Sequence, residues 1–452
     1  MFSAIFAEIN LMKVIIVGAG FAGLKLARSL SKQKDIEVLL IDKNNYHQFQ
    51  PLFYQVATAG LDASNISFPL RKIFQKVPNV YFRLASLKEI NSRENKIVTD
   101  IGEYSYDVLV LASGADTNFF GNEKIKAAAL PMKSTAEALV LRHHIIENFE
   151  NALIAKSDEE LNRRMTVVLV GGGPTGVELS GAIAEMRKYI LPRDYPELDF
   201  SKMKIYLVEG SPETLGAMSE KSSEQSRKYL TKLGVDVRTG TVVKDYDGKT
   251  VTLSTGETIE SSTVIWAAGI KGNVPAGIDA SLIVKGNRIR VDRYNKVQGT
   301  ENIYAIGDVA YMETPKYPHG HPQLANVAIN QGKNLALNLK HQVDGNKHLQ
   351  KEFEYHDKGT LATVGRNLAV ADLKPNLHFG GWMAWLIWMS LHLFLILGVK
   401  NKLQIFINWV YKYFTYDSNL RLLIRVNYKR DNNFKSDRAP QPDKTSQPQL
   451  TE

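Results

Sequence analysis

Two glycine clusters are the first residues whose types and spacing point to chemistry. Gly18, Gly20 and Gly23 form G-x-G-x-x-G directly after the apolar run VIIV and just ahead of FAGLKLARSL. In that pattern the first glycine permits a tight turn, the second lets the backbone approach a pyrophosphate, and the third lets a helix pack on a strand. The helix N-terminus then faces the phosphate charge. Asp42 closes the next apolar run, VLLID, where a carboxylate accepts ribose hydroxyls. Gly171, Gly173 and Gly176 repeat the pattern, with Pro174 and Thr175 inside it and Glu209 ending the strand that follows. A carboxylate there accepts from a ribose 2′-hydroxyl and repels a 2′-phosphate. Gly210, Ser211 and Pro212 come next, with no Arg among them, so the second site favours NADH over NADPH.

The elements that must position these groups are legible around them. VIIVGAGFAGLKLARSL reads as strand, turn and helix, and VLVLASG (108–114) is a further buried strand ending in Ser113 and Gly114. The same order returns in VVLVGGGPTGVELSGAIAEM (167–186), IYLVEG (205–210) and VIWAAG (264–269), the last ending in Ala268 and Gly269. The chain therefore carries two copies of one α/β nucleotide-binding unit. Two sites require two dinucleotides, and the pair that works together is a bound FAD and an exchanging NADH. NIYAIGDVA (302–310) adds a strand, and LANVAINQGKNLALNLK (324–340) a helix.

The two glycine loops, YAIGD (304–308) and DKNNYHQFQPLFYQVATAGL (42–61) together resemble the two-dinucleotide-binding-domain flavoproteins, and within them type II NADH dehydrogenase, the single-chain NADH:quinone oxidoreductase. The resemblance runs from about Val14 to Arg425. It implies that Phe21, Ala22, Lys43, Tyr54, Gln55, Val56, Ser113, Gly114, Gly307 and Asp308 serve FAD beside the first glycine loop. It also implies that Leu324 and Ala325 present backbone N–H groups to the flavin from the start of a helix. Glu178, placed on the first turn of the second glycine helix, is implied to lie near nicotinamide and flavin, in binding or in proton supply to the quinone. The structural alternative is a carboxylate that merely favours a helix N-terminus. The family's A-Q-x-A-x-Q-x-G is here Ala325-Asn326-Val327-Ala328-Ile329-Asn330-Gln331-Gly332. Asn326 and Asn330 keep the amide donors and acceptors of the family's glutamines. Each is shorter by one methylene, roughly 1.5 Å of reach. Both are expected to line the quinone site. A homodimer is implied as well.

Cysteine is absent, which excludes disulfide reduction, sulfide oxidation through redox cysteines, and thiolate metal sites; no His/Asp/Glu cluster has metal-ligand spacing. Net charge is +9, favouring an anionic partner, and the lack of any repeated basic block sets nucleic acid aside. The N-terminus lacks a basic and apolar leader, and Met12 stands immediately before the first strand, so the first eleven residues read as an upstream extension. From Trp382 to Gly398 the chain is apolar but only marginally long enough to span a bilayer. LQIFINWVYKYF (403–414) follows, and seven Lys/Arg accompany a single Asp between 376 and 430. Aromatic, apolar and basic character together describe helices lying in one leaflet on an anionic lipid surface.

The fold class expected is α/β, with two Rossmann-like dinucleotide-binding domains plus a C-terminal amphipathic helical membrane-anchoring region. The divisions are 12–125 and 291–375 for FAD, 126–290 for NADH, 376–430 for the anchor, and 431–452 as a disordered tail. The function expected is non-pumping transfer from NADH through FAD to menaquinone or ubiquinone, on the cytoplasmic face of a prokaryotic inner membrane. A soluble reductase of a protein carrier and a non-turnover NADH-binding sensor remain the alternatives at this point.

Overall fold

Continuous apolar runs form strands buried on both faces, and here they build two parallel sheets. The computed structural model describes residues 11–374, 376–417 and 420–424. The expected disordered tail and most of the upstream extension lie outside them. The first unit comprises β1 (Met12–Val17), α1 (Phe21–Leu30), β2 (Ile36–Asp42), the short α2 (Phe53–Ala57), β3 (Val80–Leu84) and β4 (Val108–Leu111). β5 (Ala115–Thr117) then leads out of it. The second unit comprises β6 (Leu130–Pro131), α3 (Thr135–Ala152), β7 (Thr166–Val170), α4 (Pro174–Tyr189), β8 (Lys204–Val208), α5 (Glu220–Lys232), β9 (Asp236–Arg238) and β10 (Thr263–Trp266). β11 (Ile270–Gly272) leads back, pairing antiparallel with β5, so the two crossings form one ribbon. β12 (Ile303–Ala305) and α6 (Ala325–Val343) complete the first unit.

The first sheet runs β12-β4-β1-β2-β3 and the second β6-β10-β7-β8-β9, all parallel. In each, the glycine-loop strand is central and its two neighbours connect in opposite directions. That is the switch point where a crevice opens beyond the strand ends.

The C-terminal part begins earlier than residue 376. β13 (Gly359–Gly365), β14 (Leu368–Leu373) and β15 (Leu377–Gly380) form an antiparallel sheet that leads into α7 (Gly381–Leu395) and α8 (Val399–Thr415). This sheet packs on the second unit. A Cβ at Gly181 of α4 would sit 1.5 Å from the Val364 carbonyl oxygen, so only glycine permits the approach. Asp372 of β14 accepts from Ser219 N (2.7 Å) and Ser222 Oγ (2.9 Å) at the start of α5. The expected division at 376 thus falls inside one sheet, because the helices need that sheet as a floor.

None of the described helices is long and apolar enough to cross a membrane. α7 and α8 each have an inner and an outer face. Ala384, Trp388, Ile405 and Trp409 are buried, whereas Phe394, Val399, Leu403, Ile407 and Phe414 are more than half exposed. The basic residues are placed less simply than their number implied. Arg421 pairs with Asp194, Lys402 Nζ donates to the Phe394 carbonyl (2.8 Å), and Lys412 turns inward. Arg425, Lys429 and Arg430 lie outside the described residues, which leaves Lys400 exposed on this face.

Candidate active site

The first glycine loop is shaped for a ligand rather than for a plain turn. A Cβ on Gly23 would meet the Gly18 carbonyl oxygen at 1.9 Å, which is how α1 comes so close to β1. Gly20, by contrast, faces open space, and α1 has no side-chain cap on its first N–H groups. Asp42 accepts from Ala19 N (2.6 Å) and Asn44 N (2.7 Å), with burial raising its pKa. Lys43 beside it is exposed and Ala22 is packed into the core. Gly307, at φ +75°, donates its N–H to Gln331 Oε1 (2.7 Å), and Asp308 lies 3.7 Å from Lys133 Nζ. Open glycine, uncapped helix starts and an acid at the end of β2 fit a dinucleotide, and Gly18, Gly20, Asp42, Gly307 and Asp308 would hold it.

Several expected FAD contacts are placed elsewhere. Val56 is fully sealed in the core, so its side chain cannot touch a cofactor. Tyr54 and Gln55 turn toward α8, where Gln55 Oε1 accepts from Trp409 Nε1 (2.8 Å). The Ser113 hydroxyl donates to the Asn273 carbonyl (2.6 Å), and the Gly114 carbonyl accepts from Asn273 N (3.0 Å), so both serve the ribbon between units. The Leu324 N–H donates to the Pro322 carbonyl, leaving Ala325 to offer the first free N–H of α6. His47 was missed. Its Nδ1 contacts the Ala19 carbonyl oxygen (2.8 Å), and burial holds its pKa down to about 4. The ring of Phe21 lies edge-on to His47 (5.3 Å) and to Phe49 (5.9 Å), closing the loop from one side. The signal was inside the YHQFQ run, but nothing in it says which residue turns inward.

The second loop repeats the first without that cover. Gly171 and Gly176 make the same close approach, Gly173 is open, and Pro174 and Thr175 are exposed at the start of α4. The Glu209 carboxylate accepts from Gly172 N and from Ser211 N. A cavity of about 430 Å³ lies over it, walled by Phe120, Val242, Trp266 and Ala268. Gly269 borders it, with the Phe120 ring against its α-carbon face.

Glu178 lies one turn further into α4 than expected. α4 begins at Pro174, so the helix start does not account for this carboxylate. It is 9% exposed, with Thr363 N at 3.5 Å, and desolvation raises its pKa to about 8. The indole N–H of Trp388 is buried beside the Glu178 carboxylate and lowers its proton affinity, although among the described residues it makes no hydrogen bond of regular geometry. Both line a cavity of about 90 Å³ between α4, α2, β13, α7 and α8, shared with Tyr54, Glu185 and Lys412. Asn326 and Asn330 are not on its walls. Asn326 lines a separate apolar cavity of about 130 Å³ with Phe21, His47, Phe49 and Leu395. Asn330 is exposed and its amide donates to the Asn326 carbonyl (2.8 Å), closing on its own helix. His392 stacks on Trp388 (4.0 Å), faces Phe49 edge-on (6.2 Å) and has its Nδ1 on the Trp388 carbonyl, the contacts of a packed helix histidine.

Two family descriptions match this chain: pyridine nucleotide-disulphide oxidoreductase over residues 12–332 and the NDH2 C-terminal domain over residues 357–415. The chain is 34% identical over 414 residues to the type II NADH:quinone oxidoreductase Ndh of Mycobacterium tuberculosis, covering 88% of this chain and 87% of that one. The chain belongs to the type II NADH:quinone oxidoreductases. A Staphylococcus aureus type II NADH:quinone oxidoreductase is 30% identical over 373 residues, covering 78% of this chain and 87% of that one. NDH2 from Plasmodium falciparum, solved in complex with NADH, superimposes with a TM-score of 0.83 at 21% identity, over 92% of this chain and all of that one. For a type II NADH:quinone oxidoreductase the lack of cysteine is coherent. The larger family's disulfide chemistry is closed to this chain, and only its dinucleotide scaffold remains.

Proposed function

We propose that this chain oxidises NADH at the second glycine loop and reduces a membrane quinone at the cavity that holds Glu178 and Trp388, with FAD in the first loop. FAD, when bound, supplies the hydride acceptor for NADH and the two-electron donor for the quinone. The remaining work belongs to the protein. The starts of α1 and α4 hold pyrophosphate charge. Glu209 holds the ribose 2′-hydroxyl and disfavours NADPH. Trp388 offers an indole N–H to a quinone oxygen, and Glu178 holds a proton near neutral pH because burial disfavours its charged form. Asn326 belongs to this proposal as a wall of the adjoining apolar cavity; Asn330 does not, since its amide is engaged.

The observation that carries the reading is one cavity with a buried acid and a buried indole donor side by side beneath helices whose outer faces are apolar. Those faces support a monotopic anchor on the cytoplasmic side of a prokaryotic inner membrane, giving a lipid-soluble acceptor short access. The proposal includes anionic lipid binding and a homodimer, checked by vesicle sedimentation of Leu403→Glu and by light scattering in detergent. The central test is anaerobic stopped-flow with Glu178→Gln. NADH should still bleach the flavin, while reoxidation by a menaquinone or ubiquinone analogue should slow about 100-fold. In the wild type the reoxidation rate should fall as pH rises through about 8, where Glu178 loses its proton, and the variant should lack that limb. Reoxidation of the variant at the wild-type rate would remove Glu178 from the quinone half-reaction.

A further inference from the structure

The residues lining the Glu178 cavity follow one order along three of its walls. On α4 they run Glu178, Ala182, Glu185; on β13 and the turn after it, Thr363, Val364, Gly365, Arg366; on α8, Trp409, Lys412, Tyr413, with Tyr416 just beyond. The inner level is fixed by Thr363 N on Glu178 and by Trp409 on Gln55. The outer level is fixed by Arg366 N donating to Glu185 Oε1 (2.5 Å). The cavity therefore extends along α4, with both acids on its wall. Seven residues of helix separate the acids, about 10 Å, too far for one hydrogen bond. Lys412 projects from α8 between those levels. Its ammonium lies against Gly60, where a Cβ would sit 3.1 Å from Nζ, and is within electrostatic reach of Glu185. At the outer end the Arg366 guanidinium sits between the rings of Tyr413 (4.1 Å) and Tyr416 (4.0 Å).

The reaction needs such a path. NADH gives a hydride, which is two electrons and one proton, whereas a quinone becoming a quinol takes two electrons and two protons. One proton per turnover must reach a buried site from water. We propose that Glu185 and Lys412 are the relay that carries this solvent proton to Glu178, which delivers it to the quinone oxygen. Glu185 takes the proton at the outer end, Lys412 bridges the middle, and Glu178 is reprotonated after each transfer. The groups facing the relay are compatible with that task. Burial raises the phenol pKa of Tyr54 on α2 and of Tyr416, which keeps both neutral, and the Arg366 guanidinium at the outer end favours proton release inward. Burial raises the Glu185 pKa and lowers that of Lys412, bringing an acid and a base toward a common range.

The inference rests on the quinone reading of this cavity, and its test separates the two. Glu185→Gln and Lys412→Met are compared with Glu178→Gln by stopped-flow from about pH 6 to about pH 9, after flavin content and melting temperature confirm folding. Quinone-driven reoxidation should slow about tenfold in both relay variants relative to NADH bleaching, with the loss growing as pH rises. Glu185→Asp should recover much of it. A protonated-carboxyl band in the infrared difference spectrum on quinone addition should be missing from Glu185→Gln. A relay variant that keeps the wild-type rate and pH profile, or a Glu185→Gln spectrum with the band intact, overturns the relay while a slow Glu178→Gln leaves the site reading standing. A fast Glu178→Gln removes both.

Discussion

The same strand–glycine–helix unit stands twice in this chain, and the two copies differ chiefly in what covers them. Over the first, residues 46–52 fold back so that His47 meets the Ala19 carbonyl and Phe49 meets Phe21. Over the second there is an open cavity with Phe120 and Val242 66% and 53% exposed on its walls. The motif alone makes phosphate binding possible in both. Retention is decided by the lid, so the first copy suits a resident cofactor and the second a substrate that must leave each turnover.

The largest expected effect comes from filling the close approach in each copy. At Gly23 and at Gly176 a Cβ would meet a backbone carbonyl oxygen at 1.9 Å. Gly23→Val should cost at least about 3 kcal/mol and yield colourless protein. Gly176→Val should remain yellow but not be bleached by NADH. Absorbance and anaerobic titration read both, and loss of flavin in the two variants alike would erase the difference between the copies. Next comes the lid histidine. His47 has an ordinary pKa of 6.5 and is held at about 4 in the fold by desolvation. A base whose folded pKa is depressed is protonated mainly in the unfolded chain, so its contribution is whole above 6.5 and is lost as pH falls toward 4. That loss amounts to about 3 kcal/mol. Denaturant midpoints against pH should show it, and His47→Gln should flatten this part of the profile.

Two smaller effects belong to the open copy. Glu209→Gln removes charge from the acceptor of Gly172 N and Ser211 N, so the KM for NADH should rise about tenfold and the preference over NADPH should narrow. Phe120→Ala should weaken NADH by about 1 kcal/mol, roughly fivefold, with flavin content unchanged. Trp266, on whose ring Phe119 stacks, lies in the same cavity and gives a fluorescence readout.

Much of this was legible without coordinates because it is local. The glycine spacing, the acids at strand ends and the apolar runs each depend on neighbours a few residues away. Glu178 was singled out by the family resemblance, although the first-turn position read for it is one it does not occupy. The C-terminal helices were read as one surface. Their inward Trp388, Trp409 and Lys412 could not be told from outward Phe394 and Phe414, since both faces are apolar and only the sheet beneath says which is inner. Asn326 and Asn330 share a helix face in sequence, yet Asn330 closes on its own backbone, a choice made by side-chain length.

By itself, then, the sequence determined two dinucleotide cradles, the NADH preference, the absence of thiol chemistry and an apolar C-terminal segment. Those follow from backbone geometry and residue chemistry within short stretches. The tertiary structure decided which cradle is lidded, that β13–β15 carry α7 and α8, and that Glu178, Glu185, Trp388 and Lys412 share one cavity. Those residues come from α4, α7 and α8, more than 200 positions apart at the extremes. Only the packing of three helices on one small sheet removes them from water together, and that removal gives the acids and the amine their altered proton affinities.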